Sequence, residues 1–276
     1  MPVLAVLPLV SSPMPSAPRG DGMLVASFAK SVAPKHEARR AQQTEARRIE
    51  ASRCPSGMAY VAGGYCVDRY EASLVEINED GSEQAWPFNM SVEGHRVRAV
   101  SQAGVMPQAY ISGAEASQAC KLAGKRLCKP AEWRKACRGQ KASTFPYGNT
   151  RTANACNDHG RSPLSALGLI HVRADGTAPE FGEFSVMNHP ALNEIPGTLA
   201  ATGSHEQCVS DEGIFDMVGN LHEWVDDPKG TFFGGYYQDT TQNGDGCSYS
   251  TYAHNFTYHD YSTGFRCCAD ASDEAN

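Results

Sequence analysis

The stretch "DMVGNLHEWVDD", residues 216–227, crowds Asp216, Asn220, His222, Glu223, Asp226 and Asp227 around one glycine and one tryptophan. Such a segment can be an active site, a metal cage or the corner of a scaffold, and the choice decides how the rest of the chain is read. A zinc-protease reading fails, because Asp226 stands where H-E-x-x-H needs its second histidine. Carboxylates solvated at a surface turn are the plain alternative.

Around this segment lie 276 residues, 41% of them hydrophobic, which is enough for a substantial core. The formal net charge is -7 and no basic stripe crosses the part expected to fold. Nucleic-acid binding, which needs cations to displace counterions, is therefore not expected. No apolar run is long enough to span a bilayer. Ten cysteines in such a chain point to a disulfide framework and an oxidising compartment, periplasmic or extracellular. Zinc is the cytosolic alternative, but no C-x2-C occurs, and the vicinal pair Cys267-Cys268 is a poor start for a tetrahedral cage. The opening "MPVLAVLPLVSSPMPSAP" has the short apolar run and small residues of a signal peptide without its positive start. Met23 as the true start is the alternative.

Residues 1–35 read as a targeting segment or linker, and 36–53 as a polar helical stalk, since "HEARRAQQTEARRIEAS" favours helix without an apolar stripe. A packed domain is expected over 54–270, with a tail at 271–276. It opens with "CPSGMAYVAGGYCVDRYEAS" (54–73), a strand, a Gly-Gly turn and a strand, whose arms Cys54 and Cys66 could staple. "SGAEASQACKLAGKRL" (112–127) predicts a helix with Ser112 as N-cap, Glu115 completing a capping box and Gly124 as the stop. "PAEWRKACRG" (130–139) predicts a second, started by Pro130 and ended by Gly139, with Trp133 and Cys137 on one face. Beyond it the chain is rich in glycine, asparagine and aromatics, with short strands at "TFFGGYYQ" (231–238) and "STGFRCC" (262–268). The class is α+β: loop-rich, two helices plus short antiparallel strands, in one disulfide-stapled domain.

Six segments in order carry a resemblance: "GMAYVAGGYCVDRYEAS" (57–73), "AGKRLCKPAEWRKACRG" (123–139), "FPYGN" (145–149), "DMVGNLHEW" (216–224), "FFGGYY" (232–237) and "GFRCC" (264–268). Together they resemble the formylglycine-generating enzyme, or sulfatase-modifying factor, family over roughly residues 55–270. The resemblance implies an elaborated C-type-lectin-like fold. It also implies a structural calcium ion, held by the side chains of Asp216 and Glu223 and the carbonyls of Gly219 and Leu221, an oxygen-rich set that suits this ion. His222 stands in place of the family's usual Trp. A second calcium site would begin at Asn157, in the Cys156-Asn157 step, but no acidic partner aligns with it.

Family catalysts oxidise a substrate cysteine through two cysteines that bind copper(I), a soft ion that requires thiolates. At the matching places this chain has Asp239 and a position near Gln242, so copper is not expected. Cys247 better matches a structural family cysteine, which implies the pairs Cys137–Cys247 and Cys120–Cys267. Proximity suggests Cys54–Cys66, Cys156–Cys208 and Cys128–Cys268 for the rest. A lone reactive Cys247 is the alternative.

"CSYSTYAHNFTYHDYSTGF" (247–265) clusters Tyr249, Tyr252, His254, Tyr258, His259, Asp260 and Tyr261 where the family's active surface would lie. Cys247, His254, His259 and Asp260 are the catalytic candidates, by acid–base work or metal binding. Tyr249, Tyr252, His254, Tyr258 and His259 could instead form an adaptable surface for a protein, peptide or small ligand. Packing of half-buried aromatics is the third possibility. The expected function is an exported, non-catalytic binding or accessory module stabilised by calcium and disulfides. The alternative is a diverged oxidase of the family, acting on a sulfatase or another exported substrate.

Overall fold

The computed structural model describes residues 37, 39–46, 48, 52–169, 184–252 and 254–273. The targeting reading of residues 1–35 and the end of the tail, 274–276, lie outside the described residues. The chain divides into two compact units, Met1–Arg48 and Ile49–Asn276. In the first, residues 39–46 are helical (α1) and exposed, as expected of a helix with no apolar stripe. No helix among the described residues is long and apolar enough to cross a membrane.

In the second unit, β1 (Met58–Val61) and β2 (Tyr65–Asp68) form an antiparallel hairpin with Tyr60 opposite Cys66. Gly63 and Gly64 supply its turn at φ 125° and 86°. The last strand, β11 (Cys267–Asp270), lies between β2 and β6 (Arg126–Leu127), so the end of the domain closes on its beginning. A second sheet sets β3 (Ala72–Ile77) between β4 (Glu83–Ala85) and β5 (Val97–Ser101). The third has the order β10 (Thr263–Phe265), β7 (His222–Trp224), β8 (Phe232–Phe233), β9 (Ser250–Thr251). Its β7–β10 pair is parallel, which the long return between the two strands permits.

Helix α2 (Gly113–Leu122) carries the capping box, with Ser112 and Glu115 each satisfying the other's backbone N–H. Helix α3 (Pro130–Arg138) starts at its proline and ends at Gly139. Trp133 and Cys137 are fully buried on its inner face. Two single turns follow, α4 (Pro163–Ala166) and α5 (Phe184–Met187).

All ten cysteines are bonded: Cys54–Cys66, Cys120–Cys267, Cys128–Cys268, Cys137–Cys247 and Cys156–Cys208. Four of the five close loops of 52 to 147 residues, the long-loop case in which a cross-link restricts the unfolded chain most. They tie both long helices and the loop-rich middle to the C-terminal third. One apolar cluster packs Trp133, Met217 and Phe233 beside the Cys137–Cys247 bond; another packs Ile111, Trp224 and Phe265 beside Cys120–Cys267.

Candidate functional site

The 216–227 stretch bends sharply before entering β7. Asp216, Gly219 and Asn220 all take left-handed backbone angles, with φ of 57°, 80° and 57°. A Cβ on Gly219 would sit 2.2 Å from the Asn157 carbonyl oxygen, so only glycine fits there. Asn157 is tied to this corner: its carbonyl accepts the Asn220 N–H (2.8 Å), and its Nδ2 donates to Asn220 Oδ1 (2.9 Å).

Three carboxyl groups meet one guanidinium in the same corner. Glu71, Asp216, Glu223 and Arg266 are 0%, 3%, 1% and 0% exposed. Arg266 grips Glu223 with two bonds, Nε to Oε2 at 2.7 Å and Nη2 to Oε1 at 2.6 Å. Trp133 Nε1 adds a third, to Oε2 at 2.6 Å. Glu71 Oε1 accepts the Leu221 N–H (3.1 Å), and its Oε2 accepts from Asn220 Nδ2. Asp216 Oδ2 accepts the Gly203 N–H at 2.6 Å. Burial pushes Asp216 up to about 6, and burial with the nearby Asp216 and Glu223 charges raises Glu71 well above its ordinary value.

No group of three or more carboxylate, histidine or cysteine side chains among the described residues is arranged to hold a metal ion; two features of the corner nevertheless favour a hard cation. The carboxylates' formal negative charge exceeds that of the one guanidinium, and oxygens remain to be shared. A carboxylate oxygen accepts about two bonds; Glu223 Oε1 has one, and Asp216 Oδ1 has none among the described residues.

Strand alternation sends His222 to the face opposite Glu223, where a cleft of about 650 Å³ opens. His222 is 6% exposed and lies among the rings of Phe232, Tyr236 and Tyr249, with centroids at 4.5, 4.8 and 5.5 Å. Its Nδ1 is buried and has no hydrogen-bond partner among the described residues. Burial drives its pKa down to about 3, so the ring is neutral.

Two carboxylates face the same cleft. Asp239 follows the Gly234-Gly235 turn; a Cβ on Gly235 would lie 2.2 Å from the Asp239 carbonyl oxygen. Asp239 Oδ1 accepts from the N–H groups of Thr241 and Gln242, and Oδ2 from the Tyr249 hydroxyl at 2.9 Å. Burial raises the Asp239 carboxyl, but these donors outweigh it and leave the group below its ordinary value. Asp260 Oδ1 accepts from Ser262 N–H and Oγ, and Oδ2 from the Tyr258 hydroxyl at 2.6 Å. His254 stacks on Tyr258 at 3.8 Å between centroids.

The cleft thus brings together Tyr249, His254, Tyr258, Asp260 and Tyr261 from the sequence-predicted set. Tyr252 lies outside its lining, 63% exposed, with its hydroxyl accepting from Arg134. His259 also lies outside it, where its Nδ1 pairs with Asn188 Oδ1 at 2.7 Å. Cys247 is fully buried in its bond to Cys137, so it holds no thiol to act as a reactive cysteine. Asp239 and Gln242, at and near the places matched to the family's copper cysteines, both line the cleft. His222 and Tyr236 were not foreseen as cleft residues; the alternation along "HEW" is the signal that could have placed His222 there.

The family model described as "Sulfatase-modifying factor enzyme 1-like domain" matches residues 60–271. A search of curated proteins finds no match. Among solved structures the chain is similar to the Major Tropism Determinant U1 variant, at 16% identity and a TM-score of 0.42, covering 79% of this chain and 53% of that one. It is also similar to CarF, at 16% identity and a TM-score of 0.42, covering 75% and 87%. The chain therefore spans about half the length of the Major Tropism Determinant. The fold is α+β, and the chain belongs to the sulfatase-modifying factor enzyme 1-like domain family.

Proposed function

We propose that this chain is a binding or accessory module of its family, in which the cleft beside His222 holds a ligand and no copper-thiolate chemistry is carried out. The observation that supports this is the state of the cysteines: all ten are paired, and Asp239 and Gln242 stand in the cleft where thiolates would be needed. Neither a carboxylate nor an amide replaces a soft ligand for copper(I). The test is incubation with copper(I), oxygen and a peptide carrying the C-x-P-x-R motif. The expected result is an unchanged peptide mass; formylglycine formation would overturn the proposal.

A second reading, a family enzyme that works without paired thiols, is favoured by the neutral, buried His222 in the same cleft as Asp239 and His254. Such an enzyme would turn over an exported substrate with the ten cysteines blocked, which mass spectrometry of candidate substrates would detect.

Calcium belongs to the proposal as a structural ion. Asp216 and Glu223 would hold it by side chain, and Gly219 and Leu221 by carbonyl, with the uncompensated buried carboxylates as the physical reason. Export to an oxidising compartment is the setting that keeps five disulfides formed.

A further inference from the structure

We infer that the cleft beside His222 is a site for an alkylammonium group, carried by a small amine or by a lysine side chain of a peptide. This assignment rests on the binding-module reading above and specifies its ligand. The cleft holds two carboxylates, Asp239 and Asp260, and no lysine or arginine lines it. Neither carboxylate forms an ion pair among the described residues, although both are held firmly by hydroxyl and N–H donors.

The remaining acceptor capacity is specific. In each carboxylate Oδ1 is filled, by Thr241 and Gln242 in one and by Ser262 in the other. Each Oδ2 accepts a single tyrosine hydroxyl and so has room for about one further donor. A third polar atom, the buried Nδ1 of His222, has no partner among the described residues.

Between these groups stand the rings of Phe232, Tyr236, Tyr249 and Tyr258. Aromatic faces carry negative charge density and attract a cation, the more so where water is excluded. An alkylammonium ion suits this lining: its N–H groups can bond a spare carboxylate oxygen while its methylenes lie along the rings. An anion would face two carboxylates with no counter-charge. A neutral apolar ligand would strip water from both carboxylates and replace none of those bonds. The volume, about 650 Å³, admits a side chain together with part of its backbone.

Isothermal titration calorimetry on the full chain tests this with four probes. Nα-acetyl-lysine N-methylamide and n-butylamine are the cations. Nα-acetyl-norleucine N-methylamide is the neutral isostere, and Nα-acetyl-glutamate N-methylamide the anion. The expected result is saturable binding of the lysine probe and no saturation with the norleucine or glutamate probes. Butylamine binding as tightly as the lysine probe would identify the amine alone as the ligand; markedly weaker binding would identify a peptide-borne lysine.

D239N should weaken the lysine probe about tenfold or more. D211N, which alters an exposed carboxylate outside the cleft, should leave it unchanged. If D239N does not fold, H222F serves in its place, since it removes the polar ring that lines the cleft and keeps both carboxylates. The inference is overturned if the norleucine probe binds as tightly as the lysine probe, if a folded D239N or H222F binds like the wild type, or if no cation saturates. Binding of the neutral or anionic probe alone would discard the ammonium ligand and leave the binding-module reading standing. That reading fails separately, by formylglycine formation in the copper assay.

Discussion

The corner around Glu223 and the cleft around His222 lie on opposite faces of the three-residue strand β7, and both are built of carboxylates and aromatics. They differ in how their polar groups are matched. In the corner, Glu223 receives three bonds from Arg266 and Trp133, and Glu71 is held by Asn220 and Leu221. In the cleft, Asp239 and Asp260 keep spare lone pairs and His222 Nδ1 has no described partner. Matched polar groups hold a fold together, whereas unmatched ones in an open cavity are maintained at a cost and point to a ligand.

The largest expected effect comes from breaking the corner. Arg266→Met leaves Glu223, with Glu71 and Asp216 nearby, without their guanidinium. Removing one partner of a buried ion pair costs about 3–5 kcal/mol, or on the order of 10 °C in melting temperature for a chain this size. Calorimetric melting of R266M checks it. The double substitution R266M/E223M should recover much of the loss, because the stranded charge goes too. A loss under about 1 kcal/mol in R266M would mean that the corner does not bear the fold, and the contrast with the cleft would dissolve.

Next in size is the acid profile of the calcium-free protein. Asp216 has a folded pKa of about 6 against an ordinary 3.8. Between those values the native carboxyl keeps a proton that the unfolded chain has lost, so stability falls as pH rises through this window. The fall is about 3 kcal/mol, and Glu71, also raised, acts in the same direction. Denaturation midpoints in a chelator should therefore drop from pH 4 to pH 6. Calcium should restore them at pH 7.5 and have little effect at pH 4, where protons already neutralise the cluster. Asp216→Asn should flatten the profile. A midpoint at pH 7.5 indifferent to both chelator and calcium would remove the ion from the corner.

The sequence made the scaffold more legible than the site, for reasons visible in particular residues. Ser112 with Glu115, Gly124, Pro130 and Gly139 act within a turn of their own helix, so local rules suffice to place α2 and α3. The Gly63-Gly64 hairpin is equally local. The resemblance named Cys120–Cys267 and Cys137–Cys247, and both bonds are present. The corner's matching was not legible, because Glu71 reaches Asn220 and Leu221 across about 150 residues and Arg266 reaches Glu223 from the step between β10 and β11. Within 247–265 no periodicity tells which aromatics turn inward, so Tyr249 and Tyr258 could not be separated from Tyr252, nor His254 from His259. His222 enters the sequence reading only as the residue in place of the family's usual Trp, although strand alternation alone turns it away from Glu223.

His222 gives the smallest effect and the sharpest contrast. In the corner a substitution should cost stability, since Glu71, Glu223 and Arg266 are each held there by buried hydrogen bonds. His222→Phe removes a buried nitrogen that has no described partner and puts a ring of similar size among Phe232, Tyr236 and Tyr249. Replacing an unsatisfied polar group by an apolar one of similar shape is nearly neutral or stabilising. The expected change is therefore a gain of up to about 1 kcal/mol, read as a slightly higher melting temperature, together with weaker binding of the lysine probe. A residue whose loss stabilises the fold and weakens binding is kept for the ligand. A destabilisation above about 2 kcal/mol would instead give the imidazole a structural bond, and the two faces of β7 would then be scaffold alike.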